Sequence, residues 1–166
     1  MSPIDHPVIR RFIEEAGNTT QTIGVGRVID QIYAYLYFSE PPRTLDDMKE
    51  ALGISKGSAS MGVRQLEQWG AVQRVWVKGD RKDFYTANDY FGSIVRNIVV
   101  DMMGKRIGTL SRILDETDAQ WNGKNGRPAE ADSDDKFLRS RVQRLRAFQK
   151  KVSGVWNNPI LKMAMR

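Results

Sequence analysis

The sequence predicts a mainly α-helical chain with one small β-hairpin, and three observations along residues 44–87 carry that prediction. First, Leu45, Met48 and Leu52 recur at helical spacing behind Thr44, which can cap a helix with Asp47 three positions on. Second, Gly53 supplies the permissive backbone of a tight turn, Ile54 offers an apolar anchor inside it, and a further helix opens at Ser55. Ala59, Val63 and Leu66 share one face of that helix, Trp69 lies near its end and Gly70 terminates it. Third, Val72, Val75 and Val77 form a β-branched run, followed by the polar turn Lys-Gly-Asp-Arg-Lys-Asp and a returning strand at Phe84–Thr86. Helix, turn, helix and hairpin in that order make a winged helix-turn-helix.

The residues left facing out say what such a unit can do. With Ala59, Val63 and Leu66 turned inward, Ser55, Lys56, Ser58, Ser60, Met61, Arg64 and Gln65 lie at the start or on the outer side of the second helix. Most of these side chains are short or hydrogen-bonding and permit close approach. A helix of that kind fits the B-DNA major groove, where Lys, Arg, Ser and Gln read base edges or grip phosphates. The hairpin tip adds Lys78, Arg81 and Lys82, placed to reach phosphates or the adjacent minor groove. From Ser55 to Lys82 there are six bases against Glu67 and Asp80, so the local balance is positive. The same scaffold also serves as a protein-interaction module in transcription or other assemblies, without reading DNA sequence, and fold alone does not decide between the two.

The segment L-D-D-M-K-E-A-L-G-I-S-K-G-S-A-S-M-G-V-R-Q-L-E-Q-W-G-A-V-Q-R-V, followed by K-G-D-R-K-D-F-Y, resembles the MarR-type regulators and within them the GbsR-like branch. The Ser-Lys-Gly-Ser-x-Ser opening of the recognition helix and the Gly-Asp-Arg-Lys-Asp-Phe-Tyr wing carry that likeness, which is specific over about residues 20–90. The resemblance implies a dimeric cytoplasmic transcription factor, often a repressor of genes for uptake or synthesis of osmoprotectants such as glycine betaine. By position it implies Ser55, Lys56, Ser58, Ser60, Arg64 and Arg81 as DNA contacts. It also implies a betaine or choline effector, although no ligand motif is matched in this chain.

Composition sets the outer bounds. At 166 residues, 40% hydrophobic and 28% charged, the chain can hold one moderate domain or a small domain with oligomerisation helices. No apolar run approaches the roughly 20 residues that span a bilayer, and Ile4, Asp5, His6 and Arg10 interrupt any candidate secretory signal. The absence of cysteine excludes disulfides, iron–sulfur clusters and thiolate zinc. With His6 the single histidine, the usual Ser-His and multi-His metal constellations are removed as well. No spaced carboxylate pair suggests a catalytic pocket, so neither an enzyme nor a cofactor is expected. The net charge of +6 hides an asymmetry: nine bases and no acids lie between Lys136 and Arg166, which leaves the rest of the chain slightly acidic. The DNA-binding reading therefore rests on the helix and wing, not on the overall charge.

The flanking elements read as follows. Residues 3–16 carry Val8, Ile9, Phe12 and Ile13 at helical spacing with Gly17-Asn18 as a stop, a helix too short to stand alone. After a polar break, Val25, Val28, Ile29, Ile32, Tyr33, Leu36 and Tyr37 mark a longer helix ending before Pro41-Pro42 and packing behind the helix-turn-helix. Tyr33, Tyr35, Tyr37 and Phe38 suggest an aromatic cage, but periodicity already explains Tyr33 and Tyr37 as core or interface. Beyond the wing, Asn88 or Asp89 can cap a helix to about Thr117, roughly 43 Å long and long enough to carry the chain to a second subunit. Residues 119–133 read as a loop in which Trp121 docks on a neighbouring helix, and a basic amphipathic helix follows over about residues 134–156. Its stripe of Leu138, Val142, Leu145, Phe148, Val152, Val155 and Trp156 is expected to be buried in a dimer, with its bases solvated or facing Asp115, Glu116 and Asp118. The expected organisation is an N-terminal helical arm (1–19), a winged helix-turn-helix (20–88) and a helical dimerisation region (89–166). Two-fold symmetry would set two recognition helices about 34 Å apart on a pseudo-palindromic operator, under possible control by a small molecule.

Overall fold

The computed structural model describes residues 2–19, 25–123 and 133–156, in two compact units divided between Ile98 and Val99. The first unit starts with a single 3-10 turn, Pro3–Asp5, and continues with α1 (Pro7–Thr19), α2 (Arg27–Tyr37), α3 (Leu45–Leu52) and α4 (Lys56–Gln68). The antiparallel pair β1 (Val72–Val75) and β2 (Phe84–Ala87) follows, then the start of α5 (Phe91–Gly123). Mainly helical with a two-stranded wing, this is the expected winged helix-turn-helix.

Local chemistry sets the boundaries of the central elements. The Thr44 hydroxyl accepts from the Asp47 N–H at 3.2 Å while the Asp47 carboxylate takes the Thr44 N–H at 2.7 Å, a reciprocal cap. Gly53 ends α3 at φ 64°, a left-handed conformation that costs glycine least. Ser55 caps α4 by accepting the Ser58 N–H at 3.0 Å, and Gly70 turns the chain into β1 at φ 70°. The strand register pairs Val72 with Ala87 and Val75 with Phe84, so Val77 lies beyond the ladder.

The core is built around α2, whose Ile32, Ala34, Tyr35 and Leu36 are all buried, together with Met48 from α3 and Ala59, Val63 and Leu66 from α4. Full burial of the larger aliphatic side chains among these, Ile32, Leu36, Met48, Val63 and Leu66, contributes about 1.5–3 kcal/mol each. Gly62 also lies on the buried face of α4, where a Cβ would fall 2.5 Å from Ile32 Cδ1. The missing side chain lets α4 sit close against α2. Tyr35, suggested above as part of a cage, is instead a core residue with the Arg43 guanidinium 5.9 Å from its ring centroid.

Several boundaries differ from the expectation. α1 runs through Gly17 and Asn18, because burial of Ile13 and packing on α2 outweigh a propensity cost of about 1 kcal/mol. Arg43 forms an isolated bridge with Tyr85, with N–H···O distances of 3.0 and 2.8 Å, so the wing carries a third short strand segment. Asn88 does not cap α5. Its side chain donates to Gly70 O at 2.9 Å and its N–H to Ala71 O at 2.8 Å, tying the exit of the wing to the end of α4. The Asn97 amide on α5 donates to Trp69 O at 2.9 Å and adds a second tie at the same place.

In the second unit, α5 continues to Gly123 and α6 spans Ser133–Trp156. Residues 119–123 of the expected loop are thus helical, since no strong helix breaker precedes Gly123, and 124–132 lie outside the described residues. Trp121 does dock, with the Arg139 guanidinium 5.3 Å from its ring centroid. Ser111 pairs with Gln149, Asp115 and Asp118 with Arg146, and Gly104 lies beside Trp156, so the two helices run antiparallel. Beside these polar pairs Leu114 of α5 is buried, and Val142, Val152 and Trp156 of α6 are half-buried. Leu138, Leu145, Phe148 and Val155 of α6 stay exposed, as do Val99, Met103, Leu110 and Ile113 of α5.

The Gly62 contact makes a direct prediction. Gly62→Val forces branched bulk against Ile32 and is expected to destabilise the chain by about 1–3 kcal/mol, read as a lowered urea midpoint. An unchanged midpoint would show that α4 can withdraw from α2 freely.

Candidate nucleic-acid interface

The outward face of α4 is held in place by its inward one. Because Ala59, Gly62, Val63 and Leu66 are buried, Lys56, Met61 and Arg64 are exposed on the opposite side, Met61 at 74%. Ser60 is half-buried between the two faces. Ser55 and Ser58 are committed in part to the cap, with their hydroxyls 2.9 Å apart. The Gln65 amide donates to Gln68 Oε1 at 3.1 Å.

One ion pair links this face to α3. Lys56 Nζ lies 2.9 Å from Asp46 Oδ1, and both side chains are more than half exposed. The hydrogen bond from Lys56 and then its charge hold the Asp46 carboxyl below the usual carboxylate range, with Lys82 and Lys49 adding to the effect. The Lys82 ammonium is thus near enough to act on a carboxylate paired with the first residue of α4. Exposed pairs of this kind are weak, so Lys56 can exchange Asp46 for a phosphate at little cost.

The wing is shaped by its own polar contacts. Gly79 sits at φ 88°, and Asp80 Oδ1 accepts the Lys82 N–H at 3.0 Å, closing the tip so that Lys78, Arg81 and Lys82 all stand exposed. Arg74, counted among the local bases from sequence, is used internally. Its guanidinium lies 3.3 Å from Asp83 Oδ1, 4.0 Å from Glu67 Oε1 and 5.7 Å from the Tyr85 ring centroid. It braces the hairpin against α4. Two residues escaped the sequence reading: Gly62, which a lone glycine inside a helical pattern signals, and Trp76, exposed at 79% on the wing.

A second feature opens on the far side of α2. Phe12, Tyr33, Tyr37, Phe38 and Phe91 line a groove of about 540 Å³ with Glu15 and Asp30 among its walls and, among the described residues, no basic side chain in its lining. The rings meet edge-on or tilted, with centroids 5.4 Å apart for Phe12–Phe38 and 5.6 Å for Tyr37–Phe91. Tyr33 donates to Asn88 O at 2.8 Å, and burial, with Tyr37 and Asp89 adding charge effects, pushes its hydroxyl up to about 12. It therefore stays protonated through the neutral range. Tyr33, Tyr37 and Phe38 do gather as suggested, with Phe12 and Phe91 in place of Tyr35. Among the described residues no group of His, Cys, Asp or Glu side chains is placed to hold a metal ion, and no described helix is long and apolar enough to cross a membrane.

The fold and its outward helix define a winged helix-turn-helix. The chain is similar to the HTH-type transcriptional repressor OpcR of Bacillus subtilis, 30% identical over 85 residues, or 51% of this chain and 46% of that protein. It is also similar to the HTH-type transcriptional repressor GbsR of the same organism, 32% identical over 80 residues, or 48% of this chain and 44% of the repressor. The chain thus spans about half the length of the curated relatives it matches. A solved structure of a transcriptional regulator matches with a TM-score of 0.54 at 20% identity, covering 96% of this chain and 100% of that one, and so shares its fold. No protein-family model matches the chain.

The two kinds of arginine separate on mutation. Arg64→Ala with Arg81→Ala is expected to leave thermal stability near wild type, weaken duplex binding in a gel-shift assay, and reduce the salt slope by about 1–2. Arg74→Ala is expected to lower the melting temperature by loosening the hairpin. Equal loss of slope in Arg74→Ala would contradict the internal role drawn for it.

Proposed function

We propose that this chain is a DNA-binding transcriptional regulator, a cytoplasmic homodimer that represses its target genes and carries out no catalysis. Residues 20–88 form the reading head, residues 1–19 an arm and residues 89–166 the dimerisation region. Each α4 enters a major groove, with Lys56, Ser58, Ser60, Met61, Arg64 and Gln65 at base edges and phosphates and Ser55 at the helix start. Lys78, Arg81 and Lys82 hold the flanking backbone. The observation that supports this reading is the side of α4 opposite its buried one, which leaves Lys56, Met61 and Arg64 exposed, together with the exposed Lys78, Arg81 and Lys82 of the wing.

The exposed apolar stripes on α5 and α6 support self-association. A monomer that left Leu138, Leu145, Phe148 and Val155 in water would forgo about 25 cal/mol for each Å² it could bury. A pair of copies related by a two-fold axis covers such stripes with each other and presents two α4 helices to a pseudo-palindromic operator. The competing role, a winged helix that binds only protein, gives no account of the exposed cations on α4 and the wing.

An effector fits the aromatic groove. Ring faces attract a quaternary ammonium group, and choline, the cationic precursor of the osmoprotectant glycine betaine, suits this lining better than the zwitterion, whose carboxylate meets no basic side chain among the described residues that line the groove.

Selection of genomic fragments on the full chain is expected to return a pseudo-palindrome bound with a steep salt dependence, about −0.9 in slope per phosphate neutralised. Leu145→Glu with Phe148→Glu is expected to yield monomers by sedimentation and to abolish binding to that fragment. Recovery of no common sequence would leave the protein-binding role standing. Calorimetry is expected to detect choline with greater affinity than glycine betaine and to lose both in Tyr37→Ala; equal, Tyr37-independent heats would remove the effector.

A further inference from the structure

Trp76 is the largest side chain that the winged unit leaves in water. Its exposure of 79% contrasts with 5% for Trp69, only seven residues earlier. Burial of an indole removes one of the largest apolar surfaces a residue can offer, so a sequence that leaves one out on a hairpin forgoes a large contribution to folding. Its placement is specific. Trp76 follows directly on β1, before the tip, and shares a hollow of the hairpin with Arg74, Arg81 and Lys82 and with Asp80 and Asp83. Asp80 fixes that tip by accepting the Lys82 N–H, and Arg74 braces the hairpin through Asp83 and Glu67. The indole therefore projects from a stiffened support on the wing, beside Arg81 and Lys82.

We infer that Trp76 is a DNA-backbone contact, its ring packing on deoxyribose and its indole N–H donating to a phosphate beside the groove that α4 enters. This rests on the DNA-binding reading given above and adds to it an anchor of a different kind. Lys78, Arg81 and Lys82 act through charge, which salt screens and which leaves their long side chains free to move. An indole acts through area and a single donor, with two rotatable bonds to fix. It has no charge to screen, so its contribution persists at ionic strengths where the cations weaken. Charge complementarity selects this occupant: of the charged groups that share the hollow with the ring, Asp83 is paired with Arg74, and Arg81 and Lys82 outnumber Asp80, an excess that matches a polyanion. An apolar protein partner would meet that excess unpaired.

Two readouts on the full chain with a mixed-sequence duplex test the assignment. Trp76→Ala is expected to weaken binding about five- to thirtyfold at every salt concentration with an unchanged salt slope, whereas Arg81→Ala lowers the slope by about 1. Trp76→Phe, which keeps a ring, is expected to recover part of the affinity and to melt with the wild type. The chain has four tryptophans. Duplex DNA is expected to shield part of the wild-type fluorescence from acrylamide, and Trp76→Phe to lack that shielded part. If the wild type binds duplex and Trp76→Ala binds equally well with the indole still quenchable, the inference falls while the DNA reading stands, and the ring belongs to a protein-facing surface. If the wild type binds no duplex at low salt, both fall.

Discussion

The approach of α4 to α2 is the constraint on which the reading head depends. Ile32 fills the space where a Gly62 side chain would be, and Ala59, Val63 and Leu66 close the seam on either side. A helix seated by four consecutive inward contacts cannot roll without exposing one of them, so its opposite face is fixed as firmly as its buried one. Everything beyond α4 inherits that position. Gly70 turns out of its last residues, and Ala71 and Val72 are buried at the root of the wing. Asn88 and Asn97 bond backward to the carbonyls of Gly70 and Trp69. The hairpin and the start of α5 are thus tied to the end of α4 through its own orphan carbonyls, which a helix C-terminus leaves available.

Charge is distributed on the same principle. The chain has six bases between Ser55 and Lys82, yet they are not equivalent. Arg74 is spent on Asp83, Glu67 and the Tyr85 ring, and Lys56 is shared with Asp46. Lys78, Arg64, Arg81 and Lys82 stand exposed. What matters for a polyanion is the number of cations delivered to one surface, not the net charge of the molecule. The strongly basic C-terminal stretch illustrates the difference, because Arg146 in it already answers Asp115 and Asp118 and Arg139 answers Trp121.

What the sequence made legible was local. The caps at Thr44 and Ser55, the left-handed turn at Gly53 and the inward stripe of α4 each follow from chemistry within a few residues, and the structure has them in place. The features that escaped are nonlocal. The Arg43–Tyr85 bridge joins residues 42 positions apart, and no periodicity in either segment announces it. Asn88 reads as a helix cap because its type favours caps, but the free carbonyl of Gly70 competes for the same amide and wins. The facing of the α6 bases toward Asp115 and Asp118 was legible too, and Arg146 does answer those two carboxylates. The pairing of Gln149 with Ser111 was not, nor was the division of the apolar stripe, in which Val142, Val152 and Trp156 are half-buried while Leu138, Leu145, Phe148 and Val155 stay exposed. Periodicity reveals that a helix has two faces and is silent on which residues of a face a neighbour will take.

The position of α2 gives the aromatic groove its relation to the reading head. Ile32, which meets α4 at Gly62, is followed directly by Tyr33, which lines the groove, and Tyr37 lies one turn further along the same side. One short helix therefore backs α4 and walls the cavity. A rigid element with two such faces transmits displacement but creates no free energy of its own. An occupant of the groove changes DNA affinity only to the extent that it binds the DNA-competent arrangement of α2 and the free arrangement unequally. Since Tyr33 also donates to Asn88 O and Asn88 holds Gly70 O, the same residue that contacts the occupant is bonded to the segment that positions the wing. An unequal preference of even a small ligand would then reach both α4 and the hairpin, through packing on one side of α2 and through two hydrogen bonds on the other.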